Sequence, residues 1–190
     1  VEPVLAPMLA VRRPPRETSL IFVRHLGVLL KLGGNAFAQS YVMPVVARAL
    51  DPNPQTGDPA LQEALLKVLA AQDGDVAKQI EYRALRATVL PRVLQLAAQS
   101  PKLSVRVNAL LCVVRLFKLF DTGTLVKAVL PCLKVCAGPP GRRQAAICMC
   151  ALGCYDAIAA HLLDPERAPR GGGPAVSPQA QAGGGQQGGG

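Results

Sequence analysis

Six cysteines and two histidines supply the soft metal ligands and the strongest nucleophiles of this 190-residue sequence. The thiols stand at Cys112, Cys132, Cys136, Cys148, Cys150 and Cys154, and the imidazoles at His25 and His161. A zinc centre usually draws ligands from tight turns, with two residues between successive cysteines. Here Cys132 and Cys136 are four apart, as are Cys150 and Cys154, inside Ala- and Leu-rich runs. That spacing is one turn of helix rather than a metal loop. The expectation is therefore six reduced, metal-free, mostly buried thiols in a reducing, cytosolic compartment. Neither histidine carries a nucleophile motif around it, so both read as structural or surface residues. Gly33-Gly34 follows a helical stretch rather than a strand, which makes it a helix stop and not a phosphate cradle. With 12 carboxylates in the whole chain, no acid–base pair stands out. No catalytic residue, cofactor site or metal site is expected, and the chain reads as non-enzymatic.

The cations carry more information. Between Arg83 and Arg143 stand 11 basic side chains against one acid, Asp121, a local charge of +10 where the whole chain has +9. Arg83, Arg86, Arg92, Arg115, Lys118, Lys127, Lys134, Arg142 and Arg143 are the candidates for a surface that meets an anionic partner, either an acidic protein or an anionic membrane. Ordinary solvation of scattered Lys and Arg explains the same count. Nucleic acid is disfavoured, because interleaved aromatics for base stacking are missing.

The elements that would position these residues are helical. Half the sequence is hydrophobic but only 4% is aromatic, and Ala and Leu abound without β-type alternation. Val42-Met43-Pro44 recurs as Val89-Leu90-Pro91 and as Val129-Leu130-Pro131, with prolines 47 and then 40 residues apart. A proline-kinked first helix followed by a straight second helix at this period is the pattern of HEAT-type repeats. The predicted fold is all-α, a HEAT/armadillo-like helical-repeat solenoid over residues 1–163 with about four units, the first truncated. Its straight helices are expected over Thr18 to Leu32, Pro59 to Ala71, Leu103 to Phe120 and Arg142 to Leu163. The proline helices are expected from Ala36 to Leu50, Val76 to Gln99 and Gly123 to Ala137. Asp58 is placed to cap the helix that begins at Pro59. On the helix from Leu103, one apolar face holds Leu103, Val107, Leu110, Val114 and Phe117. A second holds Val105, Ala109, Cys112, Leu116 and Phe120, so both are expected to be covered. Arg106 falls inside this apolar arc, where an unpaired guanidinium would be costly, so a bond to backbone carbonyls or to a distant carboxylate is expected. Residues 164–190 form a Gly/Gln-rich tail expected to be disordered, with 9 Gly and 2 Pro from Gly171 onward. The longest uncharged apolar run, Ala145 to Tyr155, stops at Asp156, so no transmembrane segment is predicted. Prolines and arginines near the start argue against a secretory signal, and the opening Val suggests a segment of a longer protein.

The stretch "TVLPRVLQLAAQSPKLSVRVNALLCVVRLFKLF" followed by "AVLPCLKV", most specifically "LSVRVNALLCV" from Leu103 to Val113, resembles the HEAT-repeat region of the Scy-like pseudokinases, in particular the coated-vesicle-associated kinase branch. The resemblance spans roughly Val4 to His161. It implies a stack of helical hairpins behind a kinase-like, inactive domain that this chain lacks, so no nucleotide-binding residue is implied. It also implies action in clathrin-dependent traffic between Golgi, endosomes and plasma membrane, through clathrin and adaptor complexes. The implied location is cytoplasmic, peripheral on Golgi, endosomal or clathrin-coated vesicle membranes. Arg106 corresponds by resemblance to the recurrent structural Arg of HEAT second helices, with Asn108, Pro44, Pro91 and Pro131 as further structural residues. Two other classes stay open on the residues alone: a generic HEAT adaptor, and the C-terminal part of a kinase-like enzyme.

Overall fold

The computed structural model describes residues 15–71, 75–139 and 144–164. Regular structure among the described residues is entirely helical. In chain order the helices are α1 (Arg16–Arg24), α2 (Leu26–Phe37), α3 (Met43–Ala49), α4 (Pro59–Leu69), α5 (Asp75–Gln79), α6 (Tyr82–Ala84), α7 (Leu90–Gln99), α8 (Leu103–Leu116), α9 (Thr122–Thr124), α10 (Leu130–Ala137) and α11 (Ala145–Leu163). Five-residue π-helical turns join α2 to α3 (Ala38–Val42), α6 to α7 (Leu85–Val89) and α9 to α10 (Leu125–Val129).

The three π turns have one cause. Proline has no N–H, and its ring collides with the carbonyl four residues back, so a regular helical turn cannot close on it. In each copy the residue just before the proline donates instead to the carbonyl five residues back: Met43 to Ala38, Leu90 to Leu85 and Leu130 to Leu125. The chain thus widens by one residue and continues, rather than merely kinking. Pro44, Pro91 and Pro131 are themselves exposed. Around them the same positions are buried every time: Ala38, Leu85 and Leu125; then Val42, Val89 and Val129; then Val46, Val93 and Leu133; then Ala49, Leu96 and Cys136.

The helices form two rows. The proline helices make one, with α3 against the turn Leu85–Val89 and α7 against α10. The straight helices α1, α4, α8 and α11 make the other, each packed on the next. The rows join through α3 on α4, α7 on α8 and α10 on α11. Side chains show that neighbours run parallel and in register. Gln39 Nε2 donates to Glu81 Oε2 at 2.8 Å, Tyr82 donates to Asp121, and Ser104 donates to Glu63. Arg106 meets Gln144 at 2.9 Å, and the Phe117 and His161 rings stack edge-on 5.0 Å apart. All of these join residues 38 to 44 positions apart.

Local signals act as their chemistry requires. Asp58 caps α4, its Oδ1 accepting from Ala60 N at 2.9 Å, while Oδ2 binds Arg16 Nε of α1 at 2.9 Å. Gly34 interrupts α2 with φ 69° and ψ 179°, a conformation essentially confined to glycine. Gly57 sits in the turn before α4, where an added Cβ would lie 2.5 Å from the Asp51 carbonyl oxygen and 2.8 Å from that of Asn53.

Three expectations need correction. The straight helix from Thr18 to Leu32 is broken at His25, whose φ of −100° and ψ of 11° leave the helical region; α1 and the segment from Leu26 to Ala49 meet at 81°. The predicted helix from Val76 to Gln99 is broken at Ile80–Glu81, where Glu81 is extended, with ψ of 133°. The two faces of α8 are not covered alike. Val105, Ala109, Cys112, Leu116 and Phe120 are all buried, whereas on the other face only Leu110 and Phe117 are buried, Val107 and Val114 are half-buried and Leu103 is 47% exposed. Among the described residues α11 is long and apolar enough to cross a membrane by length and composition, as core helices also are, so the expectation of no transmembrane segment is left as it was. Its buried residues Ile147, Ala151, Cys154 and Ile158 face α8 and α10, and Asp156 stands on the exposed side. The predicted tail lies outside the described residues.

Candidate functional site

Arg106 ties three helices together. From α8 its Nε donates to the Ala97 carbonyl of α7 at 3.0 Å, and its Nη1 donates to Gln144 Oε1, just before α11, at 2.9 Å. The expected backbone carbonyl is thus its partner, and an amide stands where a carboxylate was the alternative. Asn108 is more local, its Nδ2 donating to the Ser104 carbonyl one turn back at 2.9 Å. Ala97 also receives the thiol of Cys136 at 3.6 Å, so one carbonyl serves two units.

Three of the six thiols fill core positions. Cys112, Cys136 and Cys154 are buried, and Cys132, Cys148 and Cys150 are half-buried. Burial pushes the Cys112 thiol up to about 12, and burial, with the neighbouring thiols adding to it, does the same for Cys154. Cys132 and Cys136 titrate as a pair: their mutual hydrogen bond and burial hold Cys132 up, while the same bond and the charge of Arg106 draw Cys136 down. Cys132 Sγ lies 3.3 Å from the Leu94 carbonyl and Cys154 Sγ lies 3.4 Å from that of Leu110, so these sulfurs stitch adjacent helices of the same row.

The structure divides the candidate cations between the two rows. Arg83, Arg86, Arg92, Lys127 and Lys134 belong to the proline row. Arg115 and Lys118 belong to the straight row, at the C-terminal end of α8, where positive charge suits the helix dipole. Lys118 Nζ stands 5.9 Å from the centroid of the Phe117 ring. Arg142 and Arg143 lie outside the described residues. A run of charge along the chain is therefore not one run on the surface.

Within the proline row, two grooves open between successive helices and share Pro91. The larger, about 500 Å³, lies between the end of α3 and α7 and has Arg48, Asp51 and Arg92 on its walls. Arg92 Nη1 is bonded to its own helix at the Thr88 carbonyl, 3.0 Å away. The smaller, about 270 Å³, lies between α7 and the turn Leu125–Val129, with Leu90, Leu94 and Ala128 lining it and Arg86 and Lys127 beside them. Asp121 stands nearby and is kept ionised by neutral donors: Tyr82 donates to its Oδ2, Thr124 Oγ1 donates to Oδ2 at 2.8 Å and Thr124 N to Oδ1 at 2.8 Å. These bonds, that of Tyr82 foremost, hold its pKa far below the ordinary carboxylate range. Arg86 reaches it only at 4.0 Å. The sequence reading missed Gln144, the Tyr82–Asp121 bond and both grooves. The signal that could have found the bond is its separation of 39 residues, close to the spacing of Pro91 and Pro131.

Over 160 residues the chain is 27% identical to SCY1-like protein 2 of Homo sapiens, and equally to SCY1-like protein 2 of Mus musculus. The match takes in 84% of this chain but 16% of each relative, so the chain spans about a sixth of the length of the curated relatives it matches. No protein-family model matches the chain. No solved structure matches it. The two matches support a distant relationship to the Scy1-like proteins.

Proposed function

We propose that this chain is a non-catalytic HEAT-type helical-repeat scaffold, related to the Scy-like pseudokinases, that works in clathrin-dependent vesicle traffic. It would act from the cytoplasmic side, peripherally on Golgi, endosomal or coated-vesicle membranes, by holding clathrin or adaptor complexes. The carrying observation is the repetition itself: three identical proline turns, the same buried positions around each, and side-chain contacts between parallel neighbours 38 to 44 residues apart. Repeats of this kind offer long surfaces for partners. The distant match to SCY1-like protein 2 supports the family, and the resemblance of Leu103 to Val113 supports the trafficking role. The exposed cations of the proline row are the surface through which the scaffold would meet an anionic partner.

Surface plasmon resonance against purified clathrin and purified adaptor complexes tests the role. Saturable binding to either one is expected. A helical, cooperatively melting chain that binds neither would reject the trafficking role and leave a scaffold for another assembly.

A further inference from the structure

We infer that the groove between α7 and the turn Leu125–Val129 is a docking site for an extended acidic peptide that inserts an apolar side chain between Arg86 and Lys127. This rests on the scaffold reading and names the class of partner for its basic row. The groove is lined by Leu90, Leu94 and Ala128, and at about 270 Å³ it falls below the usual volume of a small-molecule site while having room for a side chain or two. Charge stands on the same walls. Arg86 and Lys127 are exposed cations, two against the single nearby carboxylate Asp121, which pairs with Arg86 at 4.0 Å while also accepting from Tyr82 and Thr124, so the walls keep a net positive charge. An acidic ligand therefore meets cations beside an apolar slot, which gives it both attraction and register.

The direction of the ligand follows from Pro91. Because Pro91 lines both grooves, a peptide leaving the smaller one across this residue enters the larger, whose walls carry Arg48 and Arg92 against Asp51. Peptide is favoured over a bilayer because the two cations flank a concavity with an apolar lining. A membrane surface needs cations but no slot. Arg115 and Lys118, equal in charge, lie on the other row and should take no part.

The test is fluorescence anisotropy with the 190-residue chain and a short labelled peptide of glutamates around two central leucines. Saturable binding that weakens with salt is expected, at least about tenfold weaker for Arg86→Glu with Lys127→Glu and within about twofold for Arg115→Glu with Lys118→Glu. Ala128→Trp, which fills the slot without changing charge, should also abolish binding while the helical circular dichroism is kept. A peptide with serines in place of the leucines should bind at least about tenfold more weakly. Equal binding of the serine peptide, or indifference to the Arg86 and Lys127 reversals, overturns the proposal. So does Arg86- and Lys127-dependent binding to phosphatidylserine vesicles without any binding of the leucine peptide. A folded chain that fails here but binds adaptor complexes loses the groove and keeps the scaffold role; failure in both assays removes both.

Discussion

Arg106 shows how one side chain can hold a stack together. Its guanidinium donates to a part-buried carbonyl of α7 and to a solvent-exposed amide before α11; the first bond contributes about 1.5 to 3 kcal/mol, and the second, open to water, adds little. Arg106→Ala is therefore expected to lower the unfolding free energy by about 1 to 3 kcal/mol in urea melts. Arg115→Ala, exposed at a helix end, should stay within about 0.5 kcal/mol. Equal, small losses would show that the two bonds contribute nothing. Asp121 makes a pH prediction. Its folded pKa is depressed, so its stabilisation is fully present above the unfolded value of about 3.9 and is lost as pH falls through the folded value. Asp121→Ala should thus lower Tm at neutral pH, and the gap to the parent should narrow on acidification; a gap independent of pH would contradict this. Cys112, raised to about 12 and buried, should resist alkylation in the folded protein, whereas half-buried Cys148 and Cys150 should react first. The charge of Arg106 within an apolar arc was legible from the sequence. Its partner Gln144 was not, because that contact spans 38 residues and depends on how two units stack.

At the scale of elements, proline sets the three π turns and Gly34 the interruption of α2. Gly34 holds a conformation that costs other residues about 1 to 3 kcal/mol, so Gly34→Ala should destabilise by that amount, although an added Cβ meets nothing within 4 Å. Thermal melts measure this, and an unchanged Tm would mean that the bend is not needed. Asp58→Ala removes both the cap of α4 and the pairing with Arg16, and about 1 to 2 kcal/mol should go with it. These features were legible because each is written in one residue type: an aspartate before Pro59, a glycine pair, a proline after Val-Met or Val-Leu. The widening of each proline helix into a π turn was not foreseen, since the missing N–H predicts disruption but not its form. The breaks at His25 and Ile80–Glu81 carry no proline or glycine at the break itself, and tertiary packing rather than local propensity sets them. The half-exposed face of α8 has a similar origin. Periodicity shows which residues are apolar, and the neighbours determine which of them are covered.

Across the described residues, the proline helices and the straight helices α1, α4, α8 and α11 pack as two rows of parallel neighbours. The period was readable from Pro44, Pro91 and Pro131, whereas the distribution of cations over two rows required knowing which helices lie side by side. A linear count of charge between Arg83 and Arg143 mixes the two rows, and this is why the proline row alone carries the proposed anionic-partner surface. Register decides whether the grooves exist, because an antiparallel bundle of the same helices would keep their number and their apolar content while abolishing the grooves. Nuclear Overhauser contacts in the uniformly isotope-labelled protein measure it directly. The stack requires Phe117 to contact His161, Leu110 to contact Cys154, and Leu94 to contact Cys132 in one and the same sample. Contacts instead between the first turn of α8 and the last turn of α11, with the Phe117–His161 pair absent, would contradict it.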